Sequence, residues 1–369
     1  MIMIEIAILI LLLPLVAYAS QIADWYFQWV KSAYYEPIET QKLGVSVIIP
    51  FKDEASNLGK LIDSLQQQVH PKYEIILVND QSEDESLTIL HEKISKQTSL
   101  DVKLHNTSSC GKKAAILTGV NAAKYPLIIT TDADCTFHPE WLTTLTSFYH
   151  EKKADLIIGP VSIQERKGYL NRFQRIDFAA LQLCGGAAAL QQKPIMCNGA
   201  NLMGSKEDYL QAQLQPEIAS GDDMFLLEWM KQKKRSIHFV KSYKAAVLTN
   251  PCNTLKEFLQ QRSRWAKKAP HYKDKQIIRT GLVVTLLNAF IPISLLASIW
   301  STLFLFAFAA MLVIKTVSDY SLLKAGSQDF KIRITLFEVF YWQLHYPIYV
   351  LAVLLFPLFY TVKWKSRSI

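Results

Sequence analysis

Residues Gly281–Ile314 run for 34 positions without one charged side chain. As a single helix that stretch would be about 51 Å long, far more than the ~30 Å hydrocarbon core of a bilayer needs. Folded as a tight hairpin it gives about 17 residues per crossing, the lower limit for a span. Pro292 and the Ser298-Ile299-Trp300-Ser301 stretch are the candidate break points, and two crossings are expected. Ile2–Ala19 is apolar apart from Glu5 and just long enough to cross. Trp25, Tyr26, Phe27 and Trp29 follow as an interfacial aromatic belt, then Lys31. Ala17-Tyr18-Ala19 has the look of a signal-peptidase site, but no Lys or Arg precedes the apolar run, so an uncleaved anchor is expected. Lys315–Arg333 reads as a polar, basic link. Phe337–Val362 is the last apolar block, ending in Trp364-Lys365-Ser366-Arg367. The basic link and the basic tail both favour the cytoplasmic side, which one straight crossing cannot satisfy. A re-entrant or interfacial course for this block therefore stays open.

The segment ahead of the hairpin sets orientation. Lys256–Arg279 carries eight Lys and Arg against Glu257 and Asp274, which places the middle of the chain in the cytoplasm. The expected organisation is a membrane anchor over 1–30, a cytoplasmic domain with interface helices over 31–279, and a transmembrane region over 280–369 of a multi-pass cell-membrane protein. The formal charge of +8 fits membrane lipids and phosphates as partners. Nucleic acid is not expected, because no zinc knuckle, basic-aromatic stripe or helix-turn-helix pattern stands out. Half of the residues are apolar, which excludes a disordered chain. Five cysteines with no CxxC pair exclude a disulfide scaffold and suit reduced thiols.

Between Lys31 and Arg279, strand-like and helix-like runs alternate. Val45–Ile49, Glu74–Val78, Val102–Leu104, Leu127–Thr130 and Leu156–Ile158 read as strands. Helical spacing covers Glu54–Val69, Glu85–Ile94, Lys112–Ala123 and His138–Tyr149. Short apolar strands separated by helices imply an α/β fold with a mostly parallel sheet covered on both faces. Ligands bind such sheets beyond the carboxyl ends of the strands. Acidic residues stand there: Asp53 and Glu54, Asp80 and Asp84, and Asp132 and Asp134.

Asp132 and Asp134 are two carboxylates two residues apart after an apolar strand, a pattern able to hold a hard divalent cation. It also occurs in Asp-rich turns. Asp132-Ala133-Asp134-Cys135-Thr136 further fits the DxDxT nucleophile loop of phosphatases that pass through an aspartyl phosphate. Gly111-Lys112 is not a P-loop, since Asn106 stands where its first Gly belongs, and no GxGxxG follows any strand.

Taken in order, the motifs resemble the membrane-bound family-2 glycosyltransferases with the GT-A fold. Val47-Ile48-Ile49-Pro50-Phe51-Lys52-Asp53-Glu54 is similar to their opening strand and acidic turn, and Val78–Asp84 to VDDGSxD. Gly111–Leu117 resembles GKxxAL, and Thr131–Asp134 carries the DxD. Asn198-Gly199-Ala200-Asn201 resembles the acceptor loop, Ser220-Gly221-Asp222-Asp223 the (G/T)ED, and Gln261–Trp265 the QxxRW. Asn79 departs from the first Asp of the DD pair, and Asp222 from the usual Glu. The phosphatase alternative accounts for neither Asp80 nor the QxxRW segment.

The resemblance implies these roles. Asp80, with Asp53 and Glu54, holds the base and ribose of a nucleotide sugar, UDP-linked. Asp134, assisted by Asp132, ligates Mg²⁺ or Mn²⁺ on the diphosphate. Lys112, at a helix start, contacts phosphate or nucleotide. Arg264 clamps the leaving diphosphate. Gly199, Ala200, Asn201, Gln261 and Trp265 face the acceptor. Asp223 is the general base of an inverting single displacement; as a structural alternative it caps a helix. His138 reads as an ordinary helix start. A lipid or lipid-linked acceptor is favoured, giving a glycolipid of the cell envelope, because so few short crossings make a poor channel for a polymer. Processive polysaccharide synthesis on a saccharide acceptor is the alternative. A non-catalytic nucleotide-sugar-binding scaffold would be expected to lose Asp134 or Asp223, and both are present.

Overall fold

The computed structural model describes residues 2–37, 43–96, 100–212, 222–360, 363–364 and 367–368. The chain divides into two compact units. One comprises Ala33–Arg175 with Ala189–Pro251, the other Met1–Ser32, Ile176–Ala188 and Cys252–Ile369. In chain order, helix α1 (Ile2–Lys31) precedes β1 (Val45–Phe51), α2 (Ala55–Gln66), β2 (Tyr73–Asn79), α3 (Ser86–Ser95) and β3 (Val102–Asn106). Then come α4 (Lys112–Ala122), β4 (Leu127–Thr130), β5 (Thr136–Phe137), α5 (Trp141–Lys152), β6 (Leu156–Ile158) and β7 (Val161–Ile163). Helix α6 (Tyr169–Leu190) leads to β8 (Leu202–Ser205), α7 (Lys206–Gln211), α8 (Asp222–Gln232), β9 (Ile237–Phe239) and β10 (Val247–Thr249). The last helices are α9 (Leu255–Ala266), α10 (Lys275–Ala297), α11 (Thr302–Ala325), α12 (Leu336–Gln343) and α13 (Tyr346–Phe359).

In the first unit a seven-stranded sheet runs β3-β2-β1-β4-β8-β6-β9. The β1, β2, β3 and β4 pairings are parallel, as is β6 with β9, whereas β8 is antiparallel to both β4 and β6. Every residue of β1 and β4 is buried, as a sheet covered on both faces requires. Strand β8 carries little sequence signal, since Leu202-Met203-Gly204-Ser205 is short and lacks β-branched residues. Gly119 lets α4 lie close on the sheet, for a Cβ there would come within 2.5 Å of Ile48. The foot of the sheet is pinned by Glu74, which is fully buried. Its carboxylate accepts from Ser46 Oγ (2.5 Å), the Lys124 amide (2.7 Å) and Lys103 Nζ (2.7 Å). Burial pushes that carboxyl up, but these hydrogen bonds and the Lys103 charge outweigh it and hold Glu74 below its ordinary range. A second sheet, β5-β10-β7, carries β10 alongside the β4 end of the main one, with Leu248 opposite Thr136.

In the second unit, α1, α10 and α11 are each long and apolar enough to cross a membrane. The bent pair α12 and α13, turned by 48°, raises the number to four if it counts as one span. The break of the long uncharged run falls at 298–301, where Ser301 caps α11; Pro292 stays inside α10. The expected polar link from Lys315 is corrected: α11 continues to Ala325. Lys315, only 1% exposed, can stay in the helix because its charge is met by Asp319 Oδ2 (2.7 Å) and Gln343 Oε1 (2.9 Å). Asp319 also accepts from Tyr18 OH (2.5 Å) and Gln343 Nε2 (2.6 Å). Trp29 Nε1 donates to Asp329 (2.9 Å), a second polar tie between α1 and the distal chain. Helix α9, grouped with the middle domain by sequence, instead packs on α13: Phe258 stacks on Tyr349, and Ser263 Oγ donates to the Val353 carbonyl at 2.9 Å.

Candidate active site

Three parallel strands end where the acidic residues begin. After β1, Asp53 adopts φ +51°, with its amide donating to Ser82 Oγ (3.0 Å) and its Oδ1 accepting from the Glu83 amide (2.8 Å). That turn therefore grips the loop after β2. Glu54 accepts from Asn57 Nδ2 at 2.6 Å, and its own amide donates to Ser86 Oγ at 2.8 Å. Lys52, 4% exposed, donates to the Gln81 carbonyl (2.9 Å). After β2, Asp80 is almost wholly buried and its Oδ1 accepts from the Gly111 amide at 2.8 Å. Gly111, at φ +113°, suits a residue without Cβ and opens α4. The departure at Asn79 has a physical reason. Its Nδ2 donates to Asn106 Oδ1 (2.9 Å), which an aspartate could not do, while its Oδ1 accepts from the Ser82 amide (2.9 Å).

The DxD turn closes at the end of β4, the Cys135 amide donating to the Asp132 carbonyl. Lys112, in the first turn of α4, meets Asp132 Oδ1 at 2.6 Å. Asp134 Oδ2 accepts from Thr249 Oγ1 at 2.8 Å, a partner delivered by β10. Burial first, and then the charges of Asp132 and Glu54, push the Asp134 carboxyl up to about 6. Lys112 meets one of the two carboxylates, and carboxylates are the donors that suit a hard cation. Among the described residues, no three of His, Cys, Asp and Glu form a metal-holding group. The pair would thus share a cation with oxygens from outside the protein.

Asp223 stands at the start of α8. Its Oδ1 accepts from the Met224 amide (2.8 Å) and its Oδ2 from the Gly199 amide (3.2 Å). The acceptor-like loop and the base-like carboxylate are therefore in direct contact. Ser220 and Gly221 lie outside the described residues, as does the side chain of Asp222. Within the loop, the Ala200 amide donates to Asn198 Oδ1 (3.0 Å). Asn201 is fully buried. Its Nδ2 donates to the carbonyls of Pro160 and Ala245, both at 2.8 Å, and its Oδ1 accepts from Trp141 Nε1 at 3.1 Å. Its amide is used up inside the protein, so it holds the loop from behind. His138 Nδ1 accepts from the Glu140 amide (3.2 Å), as a residue before a helix does. Gln261, Arg264 and Trp265 all lie on α9, in the other unit. Thr249 carries no sequence signal, since a Thr at the end of a three-residue strand fits many roles.

Residues 46–210 match the family model for glycosyl transferase family 2. That segment, a little under half of the chain, is similar to the family-2 glycosyl transferases. Glycosyltransferase AglE of Haloferax volcanii is 29% identical over 126 residues, 34% of this chain and 41% of that protein. Undecaprenyl-phosphate 4-deoxy-4-formamido-L-arabinose transferase of Pseudomonas fluorescens is 31% identical over 148 residues, 39% of this chain and 43% of that protein. The matched part thus spans about two fifths of these curated relatives. Among solved structures, a mannosyltransferase from Pyrobaculum calidifontis in complex with GDP-Man and Mn²⁺ superposes with a TM-score of 0.60 at 17% identity, over 95% of this chain and 99% of that one. The glycosyltransferase domain therefore has the GT-A-like fold that its motifs imply.

Proposed function

We propose that the chain is an inverting, metal-dependent membrane glycosyltransferase. It moves one sugar from a UDP-sugar to a lipid or lipid-linked acceptor at the cytoplasmic membrane surface. What carries the reading is the cluster of Lys112, Asp132, Asp134 and Thr249 at the carboxyl end of β4, inside the family-2 segment. The three or four membrane-length helices and the relative named for undecaprenyl phosphate support a lipid acceptor.

Asp80, Asp53 and Glu54 hold the base and ribose as hydrogen-bond acceptors. Asp134 and Asp132 would hold Mg²⁺ or Mn²⁺, which would supply charge to neutralise a departing diphosphate. Lys112 moves from Asp132 toward phosphate when donor binds. Asp223 takes the proton of the acceptor hydroxyl as that oxygen attacks the anomeric carbon; each of its oxygens keeps a second lone pair beside the amide it now accepts. Arg264 stabilises the leaving diphosphate. The motif resemblance assigns Gly199, Ala200, Asn201, Gln261 and Trp265 to the acceptor.

The test is a screen of radiolabelled nucleotide sugars with the purified full chain and total membrane lipids. Label in the organic phase is expected; label in an ethanol-insoluble polymer would mean processive synthesis. Chelation should stop transfer, and added Mn²⁺ or Mg²⁺ should restore it. Full activity after exhaustive chelation would remove the metal from the reading. Asp80→Ala should weaken UDP binding, and Asp134→Ala should abolish its metal dependence.

A further inference from the structure

Within the membrane-associated unit, Asp177 of α6 is buried, its side chain 2% exposed, and it faces one cation. Arg262 Nη2 lies 2.8 Å from its Oδ2, and the Arg262 side chain is itself 4% exposed. Two hydroxyls of α13 also donate to Asp177: Tyr346 OH to Oδ1 at 3.2 Å and Tyr349 OH to Oδ2 at 3.4 Å. Around the guanidinium the surfaces are aromatic. Its centre stands 4.3 Å from the Trp265 ring, 5.0 Å from Phe258 and 5.5 Å from Phe178. Arg262 occupies a variable position of QxxRW, three residues before Trp265, so the two side chains share one face of α9. The pair is expensive to bury, and simple packing would be served as well by apolar residues. What the ion pair adds is a tether: the carboxylate holds the guanidinium by charge at one nitrogen, 2.8 Å away, and the guanidinium lies against the Trp265 ring.

We infer that Asp177 is a positioning residue, holding Arg262 so that Trp265 presents one ring orientation to the acceptor. This rests on the reading of Trp265 as an acceptor contact. Asp177 touches no substrate; it acts through Arg262. Lys315 lies 4.8 Å from the Tyr346 ring, so the buried polar cluster of α11 adjoins the same support.

The experiment uses the full chain in detergent. Trp265 emission is taken as the difference between the parent and Trp265→Phe, and again between Asp177→Asn and the double variant. Asp177→Asn is expected to raise acrylamide quenching of that difference emission at least twofold. It should also lower kcat for transfer tenfold or more while UDP affinity stays within twofold. Asp177→Glu, which keeps the charge, should recover most of both. Unchanged Trp265 quenching in Asp177→Asn overturns the inference, as does unchanged turnover per folded molecule. If Asp177→Asn does not accumulate, Tyr349→Phe replaces it: a smaller rise in Trp265 quenching is expected, and none overturns the inference. A parent chain that transfers no sugar would instead refute the proposed function, with the Trp265 emission still deciding the positioning role.

Discussion

At the scale of single residues, Asp223 separates chemistry from capping. A general base contributes roughly 10²–10⁴-fold to rate. Asn in its place keeps the size and can still accept from the Gly199 amide, but takes up no proton. Asp223→Asn should therefore lose transfer by about that factor, with donor affinity and folding near the parent's. If it only capped α8, Asn would serve as well, and turnover within a few-fold of the parent would retire the base assignment. Asp223 was legible in the sequence because its neighbours formed an ordered set. Asn201 was legible only as part of the loop motif. Its commitment to Trp141, Pro160 and Ala245 depends on residues 41 to 60 positions away, which no local pattern encodes.

At the scale of elements, the strands and the acids that follow them were readable because a sheet buried on both faces demands continuous apolar runs. The less regular pieces were not. β8 is antiparallel and lacks branched residues, and β10 matters through one hydroxyl. α11 runs through a lysine that composition marks as a stop, because the anion that neutralises it lies one helical turn ahead. Glu74 offers a measurable case of cross-strand support. Removing its carboxylate leaves buried partners unmet, and Lys103 remains partly in water, so Glu74→Ala should cost roughly 2–3 kcal/mol, less than the ~3–5 kcal/mol for breaking a fully buried pair. Because its folded pKa is lowered, the charge-linked part of this contribution is complete above the unfolded value near 4.5 and is lost as pH falls through the lower folded value. Urea midpoints of the detergent-solubilised parent and variant should therefore draw closer as pH drops from 6 to below 4, with a residual gap left by the unmet Ser46 and Lys124 donors. A gap that stays constant with pH would show that the carboxylate charge is not what stabilises the sheet.

For the whole molecule, the proposed function carries a topology: the eight basic residues of 256–279 put that segment on the cytoplasmic side of the apolar helices. Deleting residues 1–30 should leave the chain in the membrane fraction after carbonate washing. A cysteine introduced at 273 should stay unlabelled by an impermeant maleimide added to intact cells and react once they are opened. Labelling from outside would reverse the orientation.

The ties from α1 to the far end of the chain have a bearing on how such a protein is made. Tyr18 and Asp319 are 301 positions apart, and Trp29 and Asp329 are 300. At a synthesis rate of ~5–20 residues per second, the first helix waits roughly 15–60 s before its partner leaves the ribosome. Meanwhile residues 33–251, apart from the 176–188 segment of the other unit, emerge in full and have time to assemble their sheet. Until then the first helix lacks Asp319 and Asp329, the distal carboxylates that Tyr18 and Trp29 bond in the finished fold. Lys315 and Asp319 lie one turn apart on α11 and bond each other, and Tyr18 donates to the same carboxylate. Biogenesis of the bundle is thus a late event, gated by translation of its last third.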